Sequence, residues 1–327
     1  MITIHSALDM DELENLNSDY IKNVLPFLFG RKELPPIFNF SSGQSPGSYS
    51  FKLDIEDLLN CAPEYKSTSN SFVHFTSLSA LNSICIEQGL RLYNLLNVND
   101  PKEFKMFASI FGFNEFQIES YKGRIHVCSF CDSKVLESDE ILTYWRSYGL
   151  DGYGCAIEFE IQDPIKRVSH VKLANILYSK PDFSNFLKAN SEFEQRNRRT
   201  TDLKELVHLQ ACLHKDPIYK METEVRLLFE DGFAEPHLVC EEGYPFGFDI
   251  NRKGKIVSYY KVRFYDEKIG YPLIKIKRIQ FGYNITLKDA KKYEDYLSMV
   301  IISMSKNLGV HIDLPVFEVS PLIDKFQ

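Results

Sequence analysis

Apolar residues along the chain follow two spacings, one helical and one alternating, and the two change places often. Leu13, Leu16, Tyr20 and Val24 recur at helical spacing, which predicts one N-terminal helix that Pro26 ends, because proline disfavours helical geometry in the residue before it. Residues 31–70 lose this periodicity and are rich in Pro, Ser, Gly and Asn, as loop or edge structure is. Order returns at "SFVHF" (71–75), a short strand. Ser77 follows as the N-cap of a helix with Leu78, Leu81, Ile84 and Cys85 on one face and Gly89 at its end. "RIHVCSF" (124–130), "CAIEFEI" (155–161), "EVRLLFE" (224–230) and "IKIKRIQFGYN" (274–284) read as strands.

Between these strands, "ESDEILTYWRSYG" (137–149) reads as a helix capped by Ser138 and stopped by Gly149. Residues 183–214 are mostly helical in pattern. Thr286 opens a long amphipathic helix that Gly309 closes, and "VHIDLPVF" (310–317) predicts a last strand. Helices and strands are mixed without regular βαβ alternation, so the expected class is α+β rather than a doubly wound sheet. The expected organisation is an N-terminal helix with a loop-rich extension (1–70), a main domain (71–290), and a C-terminal helix and strand packing on it (291–327).

Composition narrows the picture. With 44% hydrophobic and 13% aromatic residues, the 327-residue chain can bury a real core. A net charge of −7 is unlike that of a high-affinity duplex-DNA binder, which needs clustered cations. One basic cluster, "QRNRR" (195–199), runs against that balance. Residues 1–20 hold no apolar leader and no run reaches the roughly 18 apolar residues of a membrane span, so no membrane association is expected. Seven cysteines, an odd number mostly in apolar segments, suit reduced thiols in the cytoplasm.

Several stretches carry chemistry. If "ETEVR" is extended, Glu222, Glu224 and Arg226 share one strand face about 7 Å apart, with Val225, Leu227 and Phe229 on the other. That pattern fits a salt-bridged, solvent-facing edge or a catalytic carboxylate pair. Ile141, Trp145 and Tyr148 fall on one helical face beside Tyr144, as core packing or as a stack on a planar ligand. Asp100 and Glu103 in "NVNDPKEF" fit turn caps or metal ligands. Cys128 and Cys131 form a lone CxxC whose two thiols a strand would point to opposite faces, so no zinc site is expected.

Taken in order, "HFT", "GLRL", "NDPKEF", "CSF", "YWRSYG", "GYGCAIEF", "ETEVRL" and "IKRIQFG" resemble a widespread bacterial and phage-defence family classed as a domain of unknown function, over roughly residues 72–285. The first block also resembles the opening strand and helix of ADP-ribosyltransferases of the His-Tyr-Glu type, which include toxins that modify thymidine in single-stranded DNA. "ETE" resembles the late Glu-x-Glu motif of that superfamily. The resemblance implies split, mainly antiparallel β-sheets with flanking helices and NAD as cofactor. It implies that His74, with Phe75 and Thr76, grips the adenosine ribose, and that Tyr144 or Tyr148 stacks on nicotinamide. It gives Glu224 the charge that stabilises the oxocarbenium-like ribose, as in glycoside cleavage, and Glu222 the orientation or deprotonation of the acceptor. Arg226 would hold a pyrophosphate oxygen or pair with Glu224.

The expected function is therefore mono-ADP-ribosyl transfer to a macromolecule, RNA or single-stranded DNA ahead of protein, by a toxin or anti-phage effector with an antitoxin as a partner. Two alternatives stand beside it. One is a metal-dependent nuclease using Asp100, Glu103, Glu222 and Glu224. The other is a nucleotide-binding sensor without turnover.

Overall fold

A computed structural model describes residues 10–30, 34, 39–42, 48–52, 55–97, 104–162, 171–179, 182–231, 246–250, 254–266 and 271–326. Along the chain the elements are α1 (Met10–Asn23), α2 (Leu25–Phe29), β1 (Asn39–Ser42), β2 (Ser48–Lys52) and α3 (Ile55–Cys61). Next come β3 (Ser71–Thr76), α4 (Leu78–Glu87), β4 (Gly89–Asn94), α5 (Lys105–Phe111), α6 (Glu115–Arg124), β5 (Ile125–Asp132) and α7 (Ile141–Ser147). Then follow β6 (Cys155–Ile161), β7 (Val171–Asn175), α8 (Ser184–Asn197), β8 (Thr200–Asp202), α9 (Lys204–Cys212) and β9 (Glu224–Glu230). The last are β10 (Phe246–Ile250), β11 (Ile256–Arg263), β12 (Tyr265–Asp266), β13 (Tyr271–Pro272), β14 (Ile274–Phe281), α10 (Leu287–Leu308), β15 (Val316–Val319) and α11 (Ile323–Phe326).

The chain divides into two units. The first combines residues 1–66, 99–122 and 176–220; the second combines 67–98, 123–175 and 221–327. In the first unit β1 and β2 form an antiparallel hairpin, and β8 lies parallel to β2. Tyr20 and Val24 are buried, and the Tyr20 hydroxyl donates to Asn190 Oδ1 at 2.6 Å. The basic cluster at 195–199 meets acids of α1: Arg196 lies 3.1 Å from Asp19 and Arg199 3.6 Å from Glu12.

The second unit is α+β, built on one large, mostly antiparallel sheet with flanking helices. Its order is β10-β11-β4-β5-β3-β6-β14-β15, with β9 paired to both β5 and β7. One face carries Phe72, Ile157, Phe159, Leu227 and Phe229, packed with Leu81 and Cys85 of α4 and Leu297 and Ile301 of α10. The other carries Val73, Phe75, Cys131 and Ala156, packed with Ile141, Tyr144 and Trp145 of α7. Burying an apolar side chain of this size contributes roughly 1.5–3 kcal/mol, so both faces hold the sheet.

Several expected boundaries shift. Pro26 ends the first helix and then sits in the first turn of α2, where a missing N–H costs nothing. Residues 31–70 contain β1, β2 and α3 rather than loop alone, and β15 starts after Pro315. Ser138 does not cap α7: Glu140 precedes that helix without a side-chain cap, while the Ser138 hydroxyl donates to the Val135 carbonyl at 2.9 Å. Gln88, not Gly89, takes the left-handed position after α4. Gly89 opens β4, where a Cβ would lie 2.8 Å from the Val262 carbonyl oxygen, so glycine lets β11 come close. Among the described residues, no helix is long and apolar enough to cross a membrane.

Candidate functional site

The centre of the sheet is shared. One edge of β5 pairs with β9 from Ile125–Glu230 to Cys131–Glu224. The other edge pairs with β4 only at Val127–Tyr93 and His126–Asn94, and with β3 only at Asp132–Phe72 and Cys131–Val73. Between those short ladders the sheet divides. A continued ladder would have satisfied the Ser129 carbonyl; instead it accepts from His74 Nδ1 at 2.9 Å. Because a carbonyl only accepts, Nδ1 carries the proton. Burial lowers the His74 pKa against the raising effect of that bond, so the ring is neutral and Nε2 is its acceptor.

His74 and Thr76 line a cavity of about 250 Å³ at this division, together with Ser79, Ser83 and Glu87 of α4, Arg91 and Tyr93 of β4, Cys128 of β5 and Asp249 of β10. Its wall is polar. Arg91 Nη1 donates to Asp249 Oδ2 at 2.8 Å, and its Nε and Nη2 both donate to the Glu87 carboxylate. The guanidinium lies 4.7 Å above the Tyr259 ring, where a cation is attracted. Tyr93 donates to the same Asp249 oxygen at 2.9 Å, and Lys261 Nζ is 3.2 Å from Glu87. Burial, and secondarily Glu224, push the Cys128 thiol up to about 12, so it is no thiolate nucleophile at neutral pH.

The carboxylate chemistry lies on the opposite face. His74 pairs with Ile157 on the face of Phe72, whereas Glu224 pairs with Cys131 on the face of Val73. Glu224 is 5% exposed and Arg226 0%. Arg226 Nε donates to Glu224 Oε1 at 2.7 Å, and Ser129 Oγ donates to the same oxygen at 2.6 Å. Ser129 therefore joins the two faces, with its carbonyl on His74 and its hydroxyl on Glu224.

Glu222 is not on the strand. It ends a 3-10 turn at Pro217–Glu222, and Thr223 with φ of 39° breaks the chain direction before β9 begins. Glu222 accepts from the Tyr148 hydroxyl, while Tyr144 donates to the Met221 carbonyl and stacks on Phe75 at 5.7 Å. Tyr148 follows the last turn of α7 and is half exposed, so it leaves the face of Ile141 and Trp145, which are buried. The solvent-facing reading of "EVRLLFE" also fails, because every residue of β9 is buried between β5 and β7.

The fold thus gathers His74 and Thr76 at the cavity, and Glu224, Arg226, Glu222, Tyr144 and Tyr148 behind it, while Phe75 faces the α7 core. Asp100 and Glu103 lie outside the described residues. Cys128 and Cys131 are free, buried and on opposite faces. Sequence reasoning missed Arg91, Glu87, Asp249 and Ser129. Arg91 in "GLRLYN" was visible as a lone cation in a strand, but its two acids come from elements 4 and 158 residues away.

Residues 144–227, which include both tyrosines, Glu222, Glu224 and Arg226, match a family described as Protein of unknown function (DUF2971). No curated protein and no solved structure matches the chain.

Proposed function

We propose that the chain is an NAD-dependent mono-ADP-ribosyltransferase, acting on a macromolecule as a toxin or anti-phage effector, with the dinucleotide held where the sheet divides. The observation that carries this reading is Ser129, which couples a cleft-lining histidine to a buried carboxylate in two hydrogen bonds. His74 Nε2 is the acceptor for a ribose hydroxyl. Breaking the ribose C1′–nicotinamide bond sends the bonding electrons to nicotinamide and leaves a cationic ribose, which an acceptor nucleophile attacks. Negative charge in a dry site stabilises that cation. This reading gives that charge to Glu224, which Ser129 links to His74 through the sheet, and gives the acceptor's proton to the more exposed Glu222.

The pairing of Glu224 with Arg226 favours a second reading, a nucleotide-binding module without turnover, because the guanidinium already balances the charge the cationic ribose needs. The nuclease reading loses support. Glu222 is engaged by Tyr148 and Glu224 is buried against Arg226, so the two carboxylates do not converge on one metal.

Radiolabelled NAD incubated with the full chain and separate pools of RNA, single-stranded DNA and cell protein separates these readings. Label entering one pool with wild type and not with Glu224→Gln supports the transferase and identifies the acceptor class. NAD that binds but stays intact supports the module without turnover. NAD that neither binds nor reacts rejects both.

A further inference from the structure

We infer that Arg91 is the anion-binding residue of the cleft and that Asp249 is its built-in competitor, holding the place that an anionic ligand such as a dinucleotide pyrophosphate takes. The inference rests on reading the cleft as a nucleotide site. The resemblance left Arg226 either a pyrophosphate oxygen or a pairing with Glu224; Arg226 is wholly buried on the other face of the sheet and makes the pairing. Arg91 is the guanidinium that lines the cavity.

Its contacts with Glu87, Tyr259 and Asp249 are not equivalent. Glu87, four residues back, takes Nε and Nη2 together, the two-donor edge that fixes the plane of the group. Tyr259 lies under its face at 4.7 Å. Asp249 takes only Nη1, through one oxygen, from a different strand, and its side chain is the most exposed of the two acids at 37% against 20%. Arg91 is therefore oriented by Glu87 and Tyr259 whether or not Asp249 is bound.

Charge points the same way. Arg91, Glu87 and Asp249 line the cavity and, with Lys261 paired to Glu87, sum to zero; taking Asp249 away leaves this group with one net positive charge. A phosphate oxygen replacing that carboxylate keeps Tyr93 as a second donor, since its hydroxyl already reaches the oxygen of Asp249 that Arg91 binds. A purely mechanical ion pair, tying β10 to β4, makes the opposite forecast: losing it loosens the wall and brings no gain in anion binding.

Calorimetric titration of inorganic pyrophosphate into the full-length chain decides between them. Asp249→Asn, which keeps the shape and removes the charge, is expected to bind about tenfold more tightly than wild type, the size of one charged hydrogen bond. Arg91→Gln is expected to lose binding. Should Arg91→Gln fail to fold, Arg91→Lys replaces it, with weaker binding expected because a lysine cannot keep the two-donor edge on Glu87. Equal or weaker binding by Asp249→Asn overturns the proposal, as does binding unchanged on loss of Arg91. Pyrophosphate binding involves no bond cleavage, so absence of ADP-ribose transfer leaves this result standing, and an unresponsive Asp249→Asn leaves the transfer experiment standing.

Discussion

His74 Nδ1 lies 2.9 Å from the Ser129 carbonyl oxygen, where β3 has already parted from β5. The side chain thus stands in for a missing ladder bond. His74→Phe fills the space but leaves a carbonyl unsatisfied, and is expected to lose about 1–3 kcal/mol. His74→Asn retains an N–H donor near the same position and should lose less. Urea denaturation of both variants checks the order; a more stable Phe variant would show that the bond contributes nothing.

Glu224 and Arg226 form a pair that is almost wholly buried. Removing one partner strands the other, so Arg226→Met alone should lose about 3–5 kcal/mol. Adding Glu224→Gln to Arg226→Met should restore part of that loss, giving a coupling of about 1–3 kcal/mol in a double-mutant cycle. Strict additivity of the two denaturation midpoints would deny the pair.

Gly154 sits where a Cβ would lie 2.3 Å from the Thr76 carbonyl oxygen and 2.9 Å from that of Gly149. Both atoms belong to the backbone and cannot swing aside, so Gly154→Ala is expected to lose about 1–3 kcal/mol. At Gly112 nothing lies within 4 Å, and only its φ of 66° resists substitution; Gly112→Ala should lose about 1 kcal/mol. Thermal melts of the two variants test this ranking.

Burial lowers the pKa of His74, His126 and His214, each against a smaller raising effect. The unfolded chain then binds more protons than the folded one once pH falls below the ordinary histidine value of about 6.5. Stability contributed by the three neutral rings is complete above that value and is lost as pH drops beneath it. For Glu87 and Asp249 burial raises the pKa, but bonds to Arg91, Lys261 and Tyr93 outweigh it and hold both down, so their contribution persists to lower pH. Melting temperature should therefore fall between about pH 7.5 and 5.5, and the fall should shrink in His74→Asn. A flat profile would contradict neutral burial of these rings.

Elements with strong caps and long periodicity were legible in the sequence. Thr286 and Gly309 bound α10 as the spacing indicates, because both cap geometries are local. Strand identity for β3, β5, β6, β9 and β14 followed from short runs rich in β-branched and aromatic residues, with alternation read at β6. What alternation cannot reveal is where a strand begins relative to a turn. Glu222 looked like a member of β9 because it shares parity with Glu224, yet it ends a 3-10 turn and Thr223, at a φ of 39°, separates it from the strand. Nor can it reveal which face of a ten-stranded sheet a residue joins: His74 and Glu224 are both on inner strands, and only the register through β5 separates them. Arg91 and Asp249 meet across two strand pairings, so their contact belongs to topology rather than to any local signal.

The forked strand has one further consequence. Each arm of the sheet grips β5 through two residue pairs, while β9 grips it through seven. Opening an arm breaks few hydrogen bonds, and breaking the β5–β9 seam breaks many. The sheet is then built like a pair of tongs with a stiff spine, and amide hydrogen exchange should be slowest along Cys128–Phe130 and Leu227–Phe229, with faster exchange at the arm contacts of Tyr93 and Val73. Entry to the cleft is thereby uncoupled from the stability of the fold that carries it.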